Sequence, residues 1–337
     1  MRLDEPIKQV EAGVDLTRES MRQAMDLMMQ GAADEDAMAR LLKGLHEKGE
    51  TVDEIVGAAQ SLRRHMRQVA VDREGLVDTC GTGGDRSGTF NISTAAAIVA
   101  AAAGVPIAKH GNRSVTSRSG SADVLVALGV SIDLEPEAVA RCIEQVGIGF
   151  CLAPRFHPSM KHVAAVRRSL GIPTIFNLLG PLCNPANAPC QLIGVGIPSL
   201  HVRLAEALQK LGTRRSYLVH GADGLDEVTS AGETAVWRVD ATGVESTTWT
   251  PRQFGVPCRP WAEAVVDSAE ESADQIRRVL AGESGVARDL VVLNAAVAIA
   301  LHRSREDWSS LREEAAAAID TGNAARLLEK WIEVSRS

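Results

Sequence analysis

The chain has 337 residues, 36 Lys plus Arg against 43 Asp plus Glu, and a formal charge of −7. With 45% hydrophobic residues it can bury a large core in about two units of roughly 150 residues, which excludes a disulfide-stapled miniprotein. The acidic balance argues against general nucleic-acid or membrane-surface binding, and 3% aromatic content argues against a base-stacking single-strand binder.

The cysteines at 80, 142, 151, 183, 190 and 258 show no Cys-x-x-Cys spacing, so reduced, scattered thiols are expected instead of a zinc or redox framework. The first residues are charged and lack the apolar run of a secretion signal. The longest apolar stretch, Ala95 to Ala108, is broken by Gly104 and Pro106 and falls short of the ~20 residues of a membrane span. A soluble, cytoplasmic protein is expected.

In chain order, Met21, Ala24, Met25 and Met28 recur at helical spacing, with Thr17 placed to cap the start and Gly31 the end. Met38, Leu41, Leu42 and Leu45 repeat the pattern before Gly49, and Thr51 with Glu54 forms a capping box ahead of Ile55, Ala58, Ala59 and Leu62. These stripes predict a helical lobe over about the first 70 residues. Then the pattern changes. A short strand at Leu76-Val77 leads into a glycine turn, Asp78 to Asp85. A helix over Ser93–Ala103 stops at Gly104, and a strand at Val105–Ala108 ends in the polar run from Lys109. Val124–Leu128, Leu192–Val195 and Tyr217–Val219 continue the alternation to about residue 295, which predicts a mostly parallel sheet. Helices are expected at His157–Leu170, Thr174–Leu179, Asp289–His302, Trp308–Ala318 and Asn323–Glu333. The fold class is therefore α/β: a small N-terminal all-helical lobe plus a larger α/β lobe with a mostly parallel central sheet flanked by helices.

Three stretches carry candidate chemistry. Gly81 to Asp85 with Thr89, Asn91, Ser93 and Thr94 joins a glycine turn to a helix start, where N–H groups and hydroxyls suit phosphate oxygens. A plain glycine turn with an N-capping Asn accounts for the same residues, and the spacing is neither a dinucleotide fingerprint nor a P-loop. Lys109 to Asp123 combines one Lys, two Arg, five hydroxyls and glycine pivots, which favours a diphosphate or phosphosugar over a solvated loop. Asp226-Glu227 follows a strand and a turn, as a hard divalent cation would need, although a lone acidic pair is more often a solvated turn.

Six segments occur in order: Gly81–Asp85, Thr89–Thr94, Lys109–Val115, Ser119–Leu125, Phe176–Leu182 and Asp223–Glu227. Together with Asn294-Ala-Ala296 they resemble the anthranilate phosphoribosyltransferase family over essentially the whole chain. Departures are Pro173 where the family often has Arg, Thr116 where Ser is common and Val126 where Glu is common; they touch tuning and not the activity.

The resemblance implies transfer of phosphoribosyl from phosphoribosyl pyrophosphate (PRPP) to the amine of anthranilate, with pyrophosphate released. It implies a PRPP site at Gly81, Gly84, Asp85, Thr89, Asn91, Ile92, Ser93, Thr94, Lys109, His110, Gly111, Asn112, Arg113, Ser114, Val115, Thr116, Ser117 and Ser121. Two Mg²⁺ ions per monomer would be held by Ser93, Asp226 and Glu227. Anthranilate would meet Gly81, His110, Asn112, His157, Arg167, Gly180 and Pro181, with Arg167 orienting the carboxylate and Gly180-Pro181 walling the ring. Ten residues separate His157 from Arg167, almost three helical turns, so the two would flank an entry channel with Arg167 deeper. Without the motif register, His110 and His157 read as ordinary polar histidines, and Arg167 as a solvated arginine beside Arg168.

The resemblance further implies a homodimer through the helical lobe. The lobe is expected at 1–72, with about 157–190 returning to it, and the α/β domain at 73–156 and 191–337. Two other classes compete. A pyrimidine nucleoside phosphorylase shares the plan but takes inorganic phosphate, which Asp226-Glu227 and Asn112-Arg113 disfavour. A non-catalytic nucleic-acid-binding paralogue is disfavoured by the −7 charge and by Asp226, Glu227 and Arg167.

Overall fold

Local capping fixes the N-terminal helices. The computed structural model describes residues 3–85, 87–114 and 118–337, and opens with α1 (Asp4–Glu11), α2 (Arg18–Met29), α3 (Glu35–Lys48) and α4 (Val52–His65). Thr17 and Asp34 accept the N–H groups of Ser20 and Ala37, and Thr51 with Glu54 closes the expected capping box. Glu54 is also buried, accepting the Leu16 N–H at 2.8 Å and pairing with Lys48 at 2.7 Å. Met21, Met25, Met28, Leu41, Leu45, Ile55 and Leu62 share one apolar cluster. Val163, Val166, Phe176 and Leu179 enter the same cluster from later in the chain.

Among the described residues the sheet has seven strands. They are β1 (Val77–Gly81), β2 (Ile107–Gly111), β3 (Ile148–Leu152), β4 (Cys190–Gly194), β5 (Arg215–Gly221), β6 (Thr234–Asp240) and β7 (Gly243–Trp249). Their order is β3-β2-β1-β4-β5-β6-β7, parallel from β3 to β5 and antiparallel from β5 to β7. Side chains alternate across it. Leu192, Tyr217 and Val219 join the cluster built with α5 (Ile92–Ala102) and the helix Val286–Arg303, while Ile193 and Leu218 join the helical-lobe cluster. Both faces are covered, as parallel sheets require. No helix among the described residues is long and apolar enough to cross a membrane.

Topology then places the site. The chain builds β1, β2 and β3 outward to one side, then returns to lay β4 against the other side of β1. The carboxyl ends of β1 and β4 are therefore a switch point, where ligands bind in open α/β sheets.

Several local expectations need correction. β1 runs to Gly81, so Asp78 to Cys80 are strand residues and the turn starts at Thr82. β2 runs to Gly111, so Lys109 and His110 stand on a strand and not in a loop. Helix 157–170 is broken: His157 sits between Ala153–Phe156 and the short turn Pro158–Met160, and the regular helix covers only Lys161–Leu170. Pro158 explains the break, because the residue before a proline avoids the α region. The expected Thr174–Leu179 helix is the single turn Phe176–Leu179.

Candidate active site

β1 and β2 pair in register only at Val77 and Ile107, whereas β1 and β4 pair over five residues. Beyond that point side chains bridge the parted strands. Asp78 Oδ1 accepts the His110 N–H at 3.0 Å, and Asn184 Nδ2 donates to Asp78 Oδ2 and to the Ala108 carbonyl, both at 2.8 Å. Lys109, 1% exposed, reaches across to donate to the Thr79 carbonyl and to Ser93 Oγ at 3.3 Å. Burial pulls the Lys109 ammonium below its ordinary pKa, and the charges of Asp78 and Glu227 oppose that.

Ser93 is where the Lys109 ammonium meets Glu227 of the acidic pair. Its N–H donates to Glu227 Oε1 at 3.1 Å while its hydroxyl accepts from Lys109. Burial, then the charge of Asp85, pushes the Asp226 carboxyl well up. Burial pushes Glu227 to about 8, with Asp85 adding and Lys109 opposing. Asp85, Asp226 and Glu227 thus crowd acidic oxygens beside a serine hydroxyl, a donor set for a hard cation. Among the described residues no three such side chains form a ready cage. Mg²⁺ suits this, because it is usually bound by one or two carboxylates with substrate oxygens completing the shell.

The glycine loop is packed against its neighbours. A Cβ on Gly194 would collide with the Asp226 carbonyl oxygen, and one on Gly196 with the backbone of Gly83 to Asp85. Gly83 and Gly84 have φ of 67° and 93°, which favour glycine. The phosphate grip differs from the expected helix-terminus form. The N–H groups of Ile92, Ser93 and Thr94 already serve Phe90 O, Glu227 Oε1 and Asn91 O. Those of Gly83 and Gly84 have no acceptor among the described residues.

Asn91 does not cap α5 with its side chain. Its Oδ1 accepts the hydroxyls of Ser119 and Ser272, both at 2.8 Å, so it ties the glycine loop to the basic loop. Ile92 faces the core, and Thr94 is buried with its hydroxyl unpartnered. Thr89 pairs with Ser87 Oγ at 3.1 Å. Arg113 is exposed and pairs with Asp123 at 3.1 Å; the same carboxylate accepts the Ser114 and Gly120 N–H groups, and so shapes the basic loop. Asn112 O receives Ser121 Oγ at 3.4 Å, and a Cβ on Gly111 would meet Ser121 and Phe150. Val115, Thr116 and Ser117 lie outside the described residues.

His110 Nδ1 is 3.1 Å from the Gly180 carbonyl and must carry the proton, so its Nε2 is an acceptor. His157 Nε2, 3.3 Å away, then donates to it, and among the described residues no well-formed hydrogen bond reaches the buried His157 Nδ1. Burial pulls His110 down to about 4 and His157 to about 3, so both are neutral near pH 7. Arg167 stacks its guanidinium 5.2 Å from the Phe176 ring centre and reaches Asn177 Oδ1 at 3.5 Å. His157 is 5% exposed while Arg167 is only half-buried, so the expected depth order is reversed. Arg168 is exposed, which favours Arg167 of the two. Pro181 is buried, and its carbonyl accepts from Gln191 at 2.7 Å.

The histidine pair gives a pH signature. The unfolded chain takes up protons on both rings below pH ~6.5, while the folded chain does so only near 4 and 3. Stability contributed by the neutral pair is present above 6.5 and is lost as pH falls towards 4, by about 1.4 kcal/mol per pH unit per ring. In urea unfolding between pH 6.5 and 4.5 the wild type should lose stability faster than His110→Asn; equal slopes would contradict the neutral pair.

Sequence reasoning missed Asp78, Asn184, Gly194 and Ser272. Asp78, directly after the apolar Leu76-Val77, was a visible signal; the other three act only across the folded chain. A half-open cavity of about 390 Å³ lies apart, at the start of β5, lined by Arg215, Tyr217, Arg238 and Glu306.

The chain matches the model for the glycosyl transferase family helical bundle domain over residues 5–66 and that for the a/b domain over 73–325. It is 48% identical to an anthranilate phosphoribosyltransferase of Moorella thermoacetica, covering 97% of both chains. With one from Rhodopirellula baltica it shares 46% identity, over 99% of this chain and 97% of the relative. The anthranilate phosphoribosyltransferase of Thermus thermophilus superposes with a TM-score of 0.92 at 40% identity, over 98% of this chain and 99% of that one. The Saccharomyces cerevisiae enzyme in complex with PRPP and Mg superposes with a TM-score of 0.90 at 29% identity, over 99% and 98%. By sequence and by fold, the chain belongs to the anthranilate phosphoribosyltransferase family.

Proposed function

We infer that the chain transfers phosphoribosyl from PRPP to the amine of anthranilate, giving N-(5-phosphoribosyl)anthranilate and pyrophosphate in tryptophan biosynthesis. The observation that carries this reading is the meeting of Lys109 and Glu227 at Ser93, on the edge of a glycine loop whose Gly83 and Gly84 N–H groups have no acceptor among the described residues, and beside the neutral His110–His157 pair. One end suits a metal-pyrophosphate and the other an aryl acid.

Loss of pyrophosphate builds negative charge on the leaving group and positive charge on the ribose. Gly83 and Gly84 N–H groups and the Lys109 ammonium would meet the phosphate oxygens, while Asn91 holds the two loops together. Ser93, Asp226 and Glu227 would hold two magnesium ions. When bound, magnesium supplies charge neutralisation to the departing pyrophosphate. Anthranilate's amine is neutral and needs no strong base; the imidazoles, kept uncharged, would orient it without competing for its carboxylate. Arg167 would pair with that carboxylate, since its guanidinium is only weakly engaged by Asn177. Catalysis on this reading is positioning and charge neutralisation, with no covalent intermediate.

The helical lobe, at 1–72 with 157–190 returning, would carry the homodimer contact, and the enzyme would work in the cytoplasm. A ligand that binds only the folded state raises its melting temperature. PRPP with magnesium should raise it, whereas inorganic phosphate with a pyrimidine nucleoside should not. The reverse result would favour a nucleoside phosphorylase.

A further inference from the structure

The helix Val286–Arg303 is apolar along its buried face except at one residue, Asn294, which is fully buried. Its side chain does little for its own helix, donating only to Leu290 O at 2.9 Å. Its other bonds go to a single distant residue: Oδ1 accepts the Val228 N–H at 3.0 Å, and Nδ2 donates to the Val228 carbonyl at 3.0 Å. This two-point grip fixes both peptide planes flanking Val228, the residue directly after Glu227.

We propose that Asn294 is a positioning residue for the acidic pair: its amide clamps Val228 so that Glu227 faces Ser93 at the start of α5 and Asp226 faces the end of β1 at Gly81. The clamp has a rigid frame. The helix bearing Asn294 packs along α5, whose first turn supplies Ser93. One helix thus sets the spacing between the two sides of the cation site. The rest of the segment is pinned separately. Asp223 accepts from Leu225 N, Thr229 Oγ1 and Trp261 Nε1, and Thr234 Oγ1 accepts the Thr229 N–H. Among the described residues, only the Asn294 side chain bonds the Val228 backbone, directly after Glu227. A buried amide is costly unless its hydrogen bonds are met, and every bond this one makes beyond its own helix goes to Val228.

The proposal rests on the reading that Asp226 and Glu227 hold magnesium, and its test separates the two. The readout is thermal protection by PRPP as magnesium chloride is titrated, without anthranilate. Asn294→Leu, and the smaller Asn294→Ser should the first fold poorly, are compared with Leu301→Ala and Glu227→Gln. Leu301 is buried on the same helix, so its truncation matches a general loss of stability. The Asn294 variants should raise the magnesium concentration for half-maximal protection by about tenfold or more, as loss of a ligand's outer support does. Leu301→Ala should leave it unchanged, and the KM for anthranilate should not move in any Asn294 variant. If Glu227→Gln raises the half-maximal concentration and the Asn294 variants do not, the positioning role is overturned while the metal reading stands. If Glu227→Gln also leaves it unchanged, both are overturned.

Discussion

Replacing Asp226 and Glu227 together by alanine should remove magnesium-dependent turnover, lowering kcat/KM by about 10³-fold or more. That follows from a charge-stabilising contribution of ~4 kcal/mol at the leaving group, each ~1.4 kcal/mol being a factor of ten. Folding should survive, because the pair is destabilising as it stands: burial and Asp85 push both carboxyls up. Removing crowded acids relieves that cost. Initial rates across a magnesium titration, with urea unfolding alongside, check both halves. Turnover retained at low magnesium would refute the metal role.

Gly194→Ala should be the most damaging single-methyl change in the site. The added Cβ has no room, because the Asp226 carbonyl oxygen already occupies its position against the end of β4. Either the strand end or the acidic segment must move, and a shift near 1 Å in a positioning element costs about 10²-fold in rate. Overpacking should also cost roughly 1–3 kcal/mol of stability. Gly232→Ala is the control, since nothing lies within 4 Å of its Cβ position. Steady-state kinetics on both variants test the packing; an active Gly194→Ala enzyme with an unchanged KM for PRPP would contradict it.

How much of this was legible follows from where each residue's neighbours come from. The helical lobe is written locally: methionine and leucine stripes, Thr17 and the Thr51–Glu54 box lie within a few turns of what they organise. The glycine loop, the basic loop and the acidic pair were readable as motifs, because each carries its chemistry in consecutive residues. Strand ends were not. Asp78, Thr79, Lys109 and His110 look like loop residues, yet they extend β1 and β2 because their backbones pair with the outer neighbours β4 and β3, while their polar groups satisfy one another across the parted β1 and β2. β7 was missed because it lies at the sheet edge, where every residue but Trp249 is left partly or fully exposed and no apolar alternation marks it. The break at His157 was legible in Pro158 and overlooked in favour of helical spacing. The roles of Asn91 and Asn184 depend on partners 28 to 181 residues away, which no local pattern reveals.

The most direct measurement mixes the purified chain with anthranilate, PRPP and magnesium, following the fluorescence of anthranilate while pyrophosphate is counted in the same samples. The expected result is a fall in fluorescence that needs all three additions, with one pyrophosphate released per anthranilate consumed. Constant fluorescence, or phosphate-dependent cleavage of a nucleoside in its place, would contradict phosphoribosyl transfer to anthranilate.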